Sequence, residues 1–164
     1  MAAAPVVSPH RLPATVIALA LIVCSTHTSY GQAAALRERL VKAKSLTCTF
    51  PVVATGTWKG GAPSGEVTQA SLKVSFTNVN VEEGTADAES AFGGGFIVVR
   101  QSNDYLHLMQ MHGSGPLYTT TVLARETKEG RMMAIHTRHE YTDVRLPGFT
   151  SRPEMYLGEC TVGN

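Results

Sequence analysis

Four histidines, His107, His112, His136 and His139, are the residues of this 164-residue chain best suited to chemistry. Imidazole is the commonest protein ligand for zinc and copper, and facing histidines on adjacent strands could hold either metal. The spacing argues against a local site. His136 and His139 are three apart, which on a strand sends them to opposite faces. His-Thr-Arg-His-Glu also lacks the order of the metalloprotease helix, whose two histidines must share a face. Only a convergence of His107 with His136, helped by Asp104 or Glu140, would make a metal centre, and that is the alternative function the sequence allows.

Other chemistry has weaker footing. No Gly-x-Ser-x-Gly is present, so a hydrolase would need Ser114, in His-Gly-Ser-Gly, to meet a distant histidine. Asp87 and Glu89 stand two apart on an expected strand and share a face, which reads as a solvated surface before an acid–base pair. Gly-Gly-Ala-Pro-Ser-Gly and Phe-Gly-Gly-Gly-Phe lack the lysine and the strand-to-helix setting of a phosphate loop. The chain therefore reads as a non-enzymatic protein with no cofactor. Binding is the function these residue types suit. Met109, Met111, Met132, Met133 and Met155 are soft and unbranched, and adapt to irregular apolar ligands. The segment 105–111 carries bulky residues on both faces, so one face could line a cavity with a polar accent. With neighbours at 117–124 and 131–139 it nominates Met109, His107, Tyr118, His136 and Arg138 as ligand-binding residues.

The elements that must position them follow a period of two from Ser45 onward. Leu46, Cys48 and Phe50 alternate with Thr47 and Thr49; Leu72, Val74 and Phe76 alternate with Lys73, Ser75 and Thr77. Further strand patterns lie at 85–92, 96–101, 105–111, 117–126, 131–141 and 154–162. Turn residues separate them: Gly-Gly-Ala-Pro-Ser-Gly at 60–65, Glu83-Gly84, Ser-Asn-Asp at 102–104, His-Gly-Ser-Gly-Pro at 112–116 and Thr-Lys-Glu-Gly at 127–130. Gly93-Gly94-Gly95 reads as a bulge or hinge, and 142–153 as an irregular link. Connections this short permit only antiparallel neighbours, so the prediction is an all-β up-and-down meander of about eight strands. Ahead of it, Leu36 and Leu40 stand at i, i+4 among good helix formers and predict a short N-terminal helix.

Residues 1–33 read as a signal peptide: Arg11, then the apolar run 12–24, then a polar stretch with small-residue cleavage sites after Gly31 or Ala33. The run is short for a membrane span, and Val23 before Cys24 argues against lipid attachment. Residues 34–164 then form a single domain carrying 13 basic and 13 acidic side chains, since Arg11 is the one charge lost from the full count. That balance, without runs of like charge, argues against nucleic acid or an anionic membrane surface as partner. No integral membrane segment remains after cleavage. Aromatic residues at 7% and short strands argue against an outer-membrane barrel.

Export implies an oxidising compartment, bacterial periplasm or extracellular space, and leaves Cys48 and Cys160 as the remaining thiols. A bridge between them would tie the first strand to the last, and a meander whose ends meet is a small closed or nearly closed barrel. A two-layer β-sandwich is the alternative fold, and two reduced buried cysteines the alternative state.

Gly56-Thr57-Trp58 is similar to the G-x-W near the start of lipocalins, which are exported eight-stranded barrels. Thr142-Asp143 comes too late for that family's second signature, so the likeness is one of architecture. Over most of residues 34–164 the chain resembles small uncharacterised exported bacterial β-rich proteins. The shared elements are Cys48-Thr49-Phe50, Trp58, Thr120-Thr121-Val122, Arg138-His139 and Tyr156-Leu157-Gly158-Glu159-Cys160. The resemblance implies a bacterial envelope protein and no activity. The expected partner is a small amphiphilic molecule or another envelope protein.

Overall fold

A computed structural model describes residues 31–89, 97–113, 115–142 and 151–164 of the chain. The expected signal segment up to residue 30, the triple glycine at 93–95, Ser114 and most of the 142–153 link lie outside the described residues.

Eight antiparallel strands form one closed sheet: β1 (Ser45–Lys59), β2 (Ala62–Asn80), β3 (Thr85–Glu89), β4 (Ile97–Ser102), β5 (Tyr105–Met111), β6 (Leu117–Glu126), β7 (Met132–His139) and β8 (Glu154–Gly163). Every strand pairs with its sequence neighbour, and β1 also pairs with β8. The meander read from the sequence is therefore present, and its ends meet. Cys48 and Cys160 are direct partners across the β1–β8 ladder and form a disulfide, both fully buried.

The two hairpin arms show why local chemistry sets strand length. The composition of 60–65 reads as a six-residue turn, yet only Gly60 and Gly61 make it, both with positive φ, and Trp58↔Pro63 is already a paired position. Pro63 lacks a backbone donor and lies at an exposed arm, where a strand tolerates it. β1 and β2 consequently extend well beyond the barrel. At the β4–β5 hairpin Asn103 takes φ 48°, and Ser102↔Tyr105 closes a two-residue turn.

Alternation continues along β1 to Phe50. A bulge between Phe50 and Val52, at Pro51, then shifts the phase so that Val53 is buried in place of Val52. Gly158 of β8 passes the same bulge. A Cβ there would collide with the Thr49 carbonyl oxygen and lie 2.8 Å from Phe50 Cα, so the strands approach closely only because the residue is glycine.

The core has two unequal ends. Leu40, Ala43, Leu46, Val79, Leu106, Val122 and Met132 make one end apolar. Helix α1, residues 31–41, presents Leu36 and Leu40 to this core. The helix begins inside the segment read as signal peptide, residues 1–33. Arg39 Nη1 reaches Glu126 Oε1 at 2.9 Å, and Arg37 pairs with Asp104 at the β4–β5 turn. Lys44 N–H donates to Gly163 O at 2.8 Å, continuing the chain directly into the sheet. The opposite end is polar and aromatic.

Candidate functional site

Register decides which side chains meet at that polar end, because residues directly paired across strands share a face of the sheet. One row runs Val99, Leu108, Thr120, His136, Tyr156 and Val53 across β4, β5, β6, β7, β8 and β1. All six are buried, so this row faces the interior. The adjacent inward row is Ile97, Gln110, Tyr118, Arg138, Glu154 and Thr55. Three of the five nominated residues, Tyr118, His136 and Arg138, are thus brought together inside the barrel.

His107 and Met109 are not among them. Met109 belongs to an outward row with Val98, Thr119, Thr137 and Met155, and His107 to one with Arg100, Thr121, Ile135 and Leu157. Met155 and Leu157 are exposed large apolar residues, which marks these rows as the outer surface. His107 Nδ1 lies 3.0 Å from Thr121 Oγ1, with its ring parallel to Tyr105. The convergence of His107 with His136 does not form. Among the described residues no cluster of three or more His, Cys, Asp or Glu could hold a metal ion. His139, three residues from His136, faces outward beside Thr137 as the alternation requires.

His136 is 5% exposed and ringed by Phe50 at 5.7 Å, Tyr156 at 5.8 Å and Tyr118 at 6.2 Å between ring centroids. Burial first, and the Arg138 charge second, push its pKa down to about 3, so the imidazole is neutral at ordinary pH. Arg138 Nε donates toward His136 Nε2 at 3.4 Å, which makes Nε2 the acceptor and leaves Nδ1 to bond Thr120 Oγ1 at 2.8 Å. The Arg138 guanidinium carbon lies 5.3 Å from the Tyr118 ring centre and 5.4 Å from that of Tyr156. Two aromatic faces and a neutral imidazole therefore hold one fixed cation.

The tyrosine hydroxyls each bond a carboxylate. Tyr118 Oη donates to Glu140 Oε2 at 2.9 Å, and Tyr156 Oη to Glu154 Oε2 at 2.6 Å. Both phenols are pushed up to about 12, first by burial and then by donating to a carboxylate. His112 packs edge-on against Tyr118 at 4.8 Å. Glu154 Oε2 stands 3.8 Å from Arg138 Nη1, close enough to pair in charge and too far to hydrogen-bond.

No protein family, curated protein or solved structure matches this chain. Its chemistry must be read from the site alone. The sequence missed Gln110, Thr120, Glu154 and Tyr156, and named Glu140 only as a helper of a histidine metal site. A signal for two of them was present: counting back by twos from Cys160 through Gly158 reaches Tyr156 and Glu154. The bridge to Cys48 fixes that face as the inner one.

Beside this end, the projecting β1–β2 arm bears a cleft of about 270 Å³ lined by Thr55, Trp58, Glu66 and Arg152 among others. Trp58 meets Tyr141 edge-on at 5.3 Å, Gly56 N–H donates to Pro153 O at 2.8 Å, and Arg152 bonds Thr57. Thr55 belongs to both the cleft and the Arg138 row.

Proposed function

We propose that this is an exported, non-enzymatic binding protein of the cell envelope that takes a small amphiphilic ligand at the polar, aromatic end of its barrel. The observation that carries the reading is the setting of Arg138. A guanidinium is held inside the sheet between two tyrosine rings and over a neutral, buried histidine. A few convergent polar groups set among aromatic side chains are what a ligand pocket uses to fix orientation. The Tyr–Glu pairs and the cleft beside Trp58 supply a mixed polar and aromatic approach to it. The Thr120 hydroxyl meets His136 at the nitrogen that carries the proton and is 1% exposed, so this pair is not set as a nucleophile with its base. The disulfide agrees with the oxidising compartment that the N-terminal segment implies. No helix among the described residues is long and apolar enough to cross a membrane, which leaves strand-built spans unaddressed.

The test is native and denaturing mass spectrometry of the protein exported into a bacterial periplasm and purified without chelator. The expected outcome is an extra mass of small organic size in the native spectrum, released on denaturation and lost in Tyr118→Leu. A released metal ion in place of an organic mass would transfer the function to metal binding. A bare monomer that also fails to take up added amphiphiles would remove the ligand reading and leave a protein partner.

A further inference from the structure

The end of the barrel that holds Arg138 has spare hydrogen-bond donors. Gln110 Nε2 is buried and has no hydrogen-bond partner. Arg138, whose side chain is only 19% exposed, makes one hydrogen bond among the described residues, the 3.4 Å contact from Nε to His136. Its Nη atoms make none, since Glu154 stands at 3.8 Å. Gln110, Tyr118 and Arg138 are successive members of one inward row, so the two spare donor groups flank the Tyr118 ring on the same face.

The acceptors nearby already have donors: Glu140 and Glu154 each accept a tyrosine hydrogen bond, and the nitrogens of His136 face Thr120 and Arg138. Gln110 Nε2 is a buried donor without an acceptor, and beside it the Arg138 Nη atoms are reachable from solvent and uncommitted; together they suit a ligand that brings acceptors. A guanidinium fork aimed at such a ligand suits a planar group with two oxygens. Charge narrows the choice further. His136 is neutral, so Arg138 is the one cation of the cluster, and two carboxylates already stand close by. With Arg138 set against Glu140 and Glu154, each added negative charge on a ligand raises the repulsion. A monoanion is therefore favoured over a dianionic phosphate, and it can replace the loose Glu154 contact with true hydrogen bonds.

We infer that this site recognises the carboxylate of a small amphiphile, with Arg138 and Gln110 as the groups that bind its two oxygens. The inference rests on the amphiphile-binding reading above and specifies its head group. Tyr118 and Tyr156 would flank the bound carboxylate, and the apolar body would lie toward Thr55 and Trp58.

Four soluble probes sharing one tail separate the cases: octanoate, 1-octanol, octyl phosphate and octylammonium. Affinity is read by titration calorimetry, and placement by the Arg Nε–H resonances in nitrogen-15 correlation spectra. Octanoate should bind about tenfold or more tighter than 1-octanol, a ratio that one charge-assisted contact supplies. It should also shift the Arg138 Nε–H resonance. Arg138→Gln should reduce octanoate affinity about tenfold more than that of 1-octanol, and Gln110→Leu should act in the same direction with a smaller effect. Equal affinity for octanoate and 1-octanol would overturn the carboxylate inference while leaving amphiphile binding intact. Tighter binding of octylammonium or of octyl phosphate would overturn it too, by assigning the site to a cation or a dianion. Failure of all four to bind would remove the underlying reading as well. If Arg138→Gln does not fold, the probe ranking on the unaltered protein and on Gln110→Leu decides.

Discussion

His136 is a titratable group held neutral inside a barrel, and its effect on stability has a definite sign. In the unfolded chain an imidazole titrates near 6.5, whereas in the folded protein burial holds it down to about 3. Between those values the unfolded state binds a proton that the folded state refuses, so stability must fall as pH drops. The contribution is intact above pH 6.5 and is lost progressively toward pH 3, at roughly 1.4 kcal/mol per pH unit. Urea midpoints measured from pH 7 to pH 4 should decline less steeply in His136→Gln than in the unaltered protein. Parallel declines would show that other groups control acid unfolding. The same residue illustrates what could be read beforehand. Its type and its strand were legible, as was its placement opposite in face to His139. Its burial was not, because strand alternation defines two faces without saying which one is inside.

At the scale of elements, α1 depends on its apolar stripe for its place against the sheet. Leu40 is fully buried and Leu36 packs against the core, whereas the ion pairs to Asp104 and Glu126 lie at the surface. Leu40→Ala should therefore destabilise the domain by about 2–4 kcal/mol, the range for deleting a buried leucine side chain. Arg39→Ala removes a partly exposed pair worth at most about 1 kcal/mol. Chemical denaturation of the two variants gives the comparison, and a larger loss from Arg39 would mean that the helix is held by charge. The elements themselves were largely legible. β5 and β6 have the bounds that alternation assigns them, since asparagine at a two-residue turn and glycine or proline beyond leave little freedom. The β1–β2 arm was not legible, because Gly-Gly-Ala-Pro-Ser-Gly has turn composition throughout while only its first two residues need left-handed backbone. β5 defeated the reading of the site for a different reason. Both of its faces are bulky, and Leu106 and Leu108 turned inward because their partners Val99, Thr120 and Val122 did. His107 and Met109 were thereby left outside.

For the molecule as a whole, closure of the sheet is the feature that its cysteines control. The β1–β8 ladder joins the two ends of the meander, and the Cys48–Cys160 bridge crosses it at positions 112 residues apart in sequence. Each of the other strand pairs is linked through a turn or link of the chain, but the β1–β8 pairing closes a loop made of the whole intervening chain. The ordering entropy of that last contact is therefore large, and an oxidised bridge removes most of it from the unfolded state. For a loop of this length the chain-entropy account assigns about 4–5 kcal/mol. The apolar end can still collapse without the bridge, since both cysteines belong to one buried core with Leu46, Phe76 and Met132 and small apolar replacements suit such a site. Cys48→Ala with Cys160→Ala should accordingly fold to the same sheet, with a urea midpoint lowered by most of that free energy and an unchanged far-ultraviolet spectrum. The β1 and β8 amides should then exchange with solvent ahead of those in β6 and β7, because the seam that lost its covalent tie is the first place where the ring can open. Uniform loss of protection over all eight strands would instead mean that the bridge stabilises the fold as one cooperative unit and that the β1–β8 seam has no separate opening.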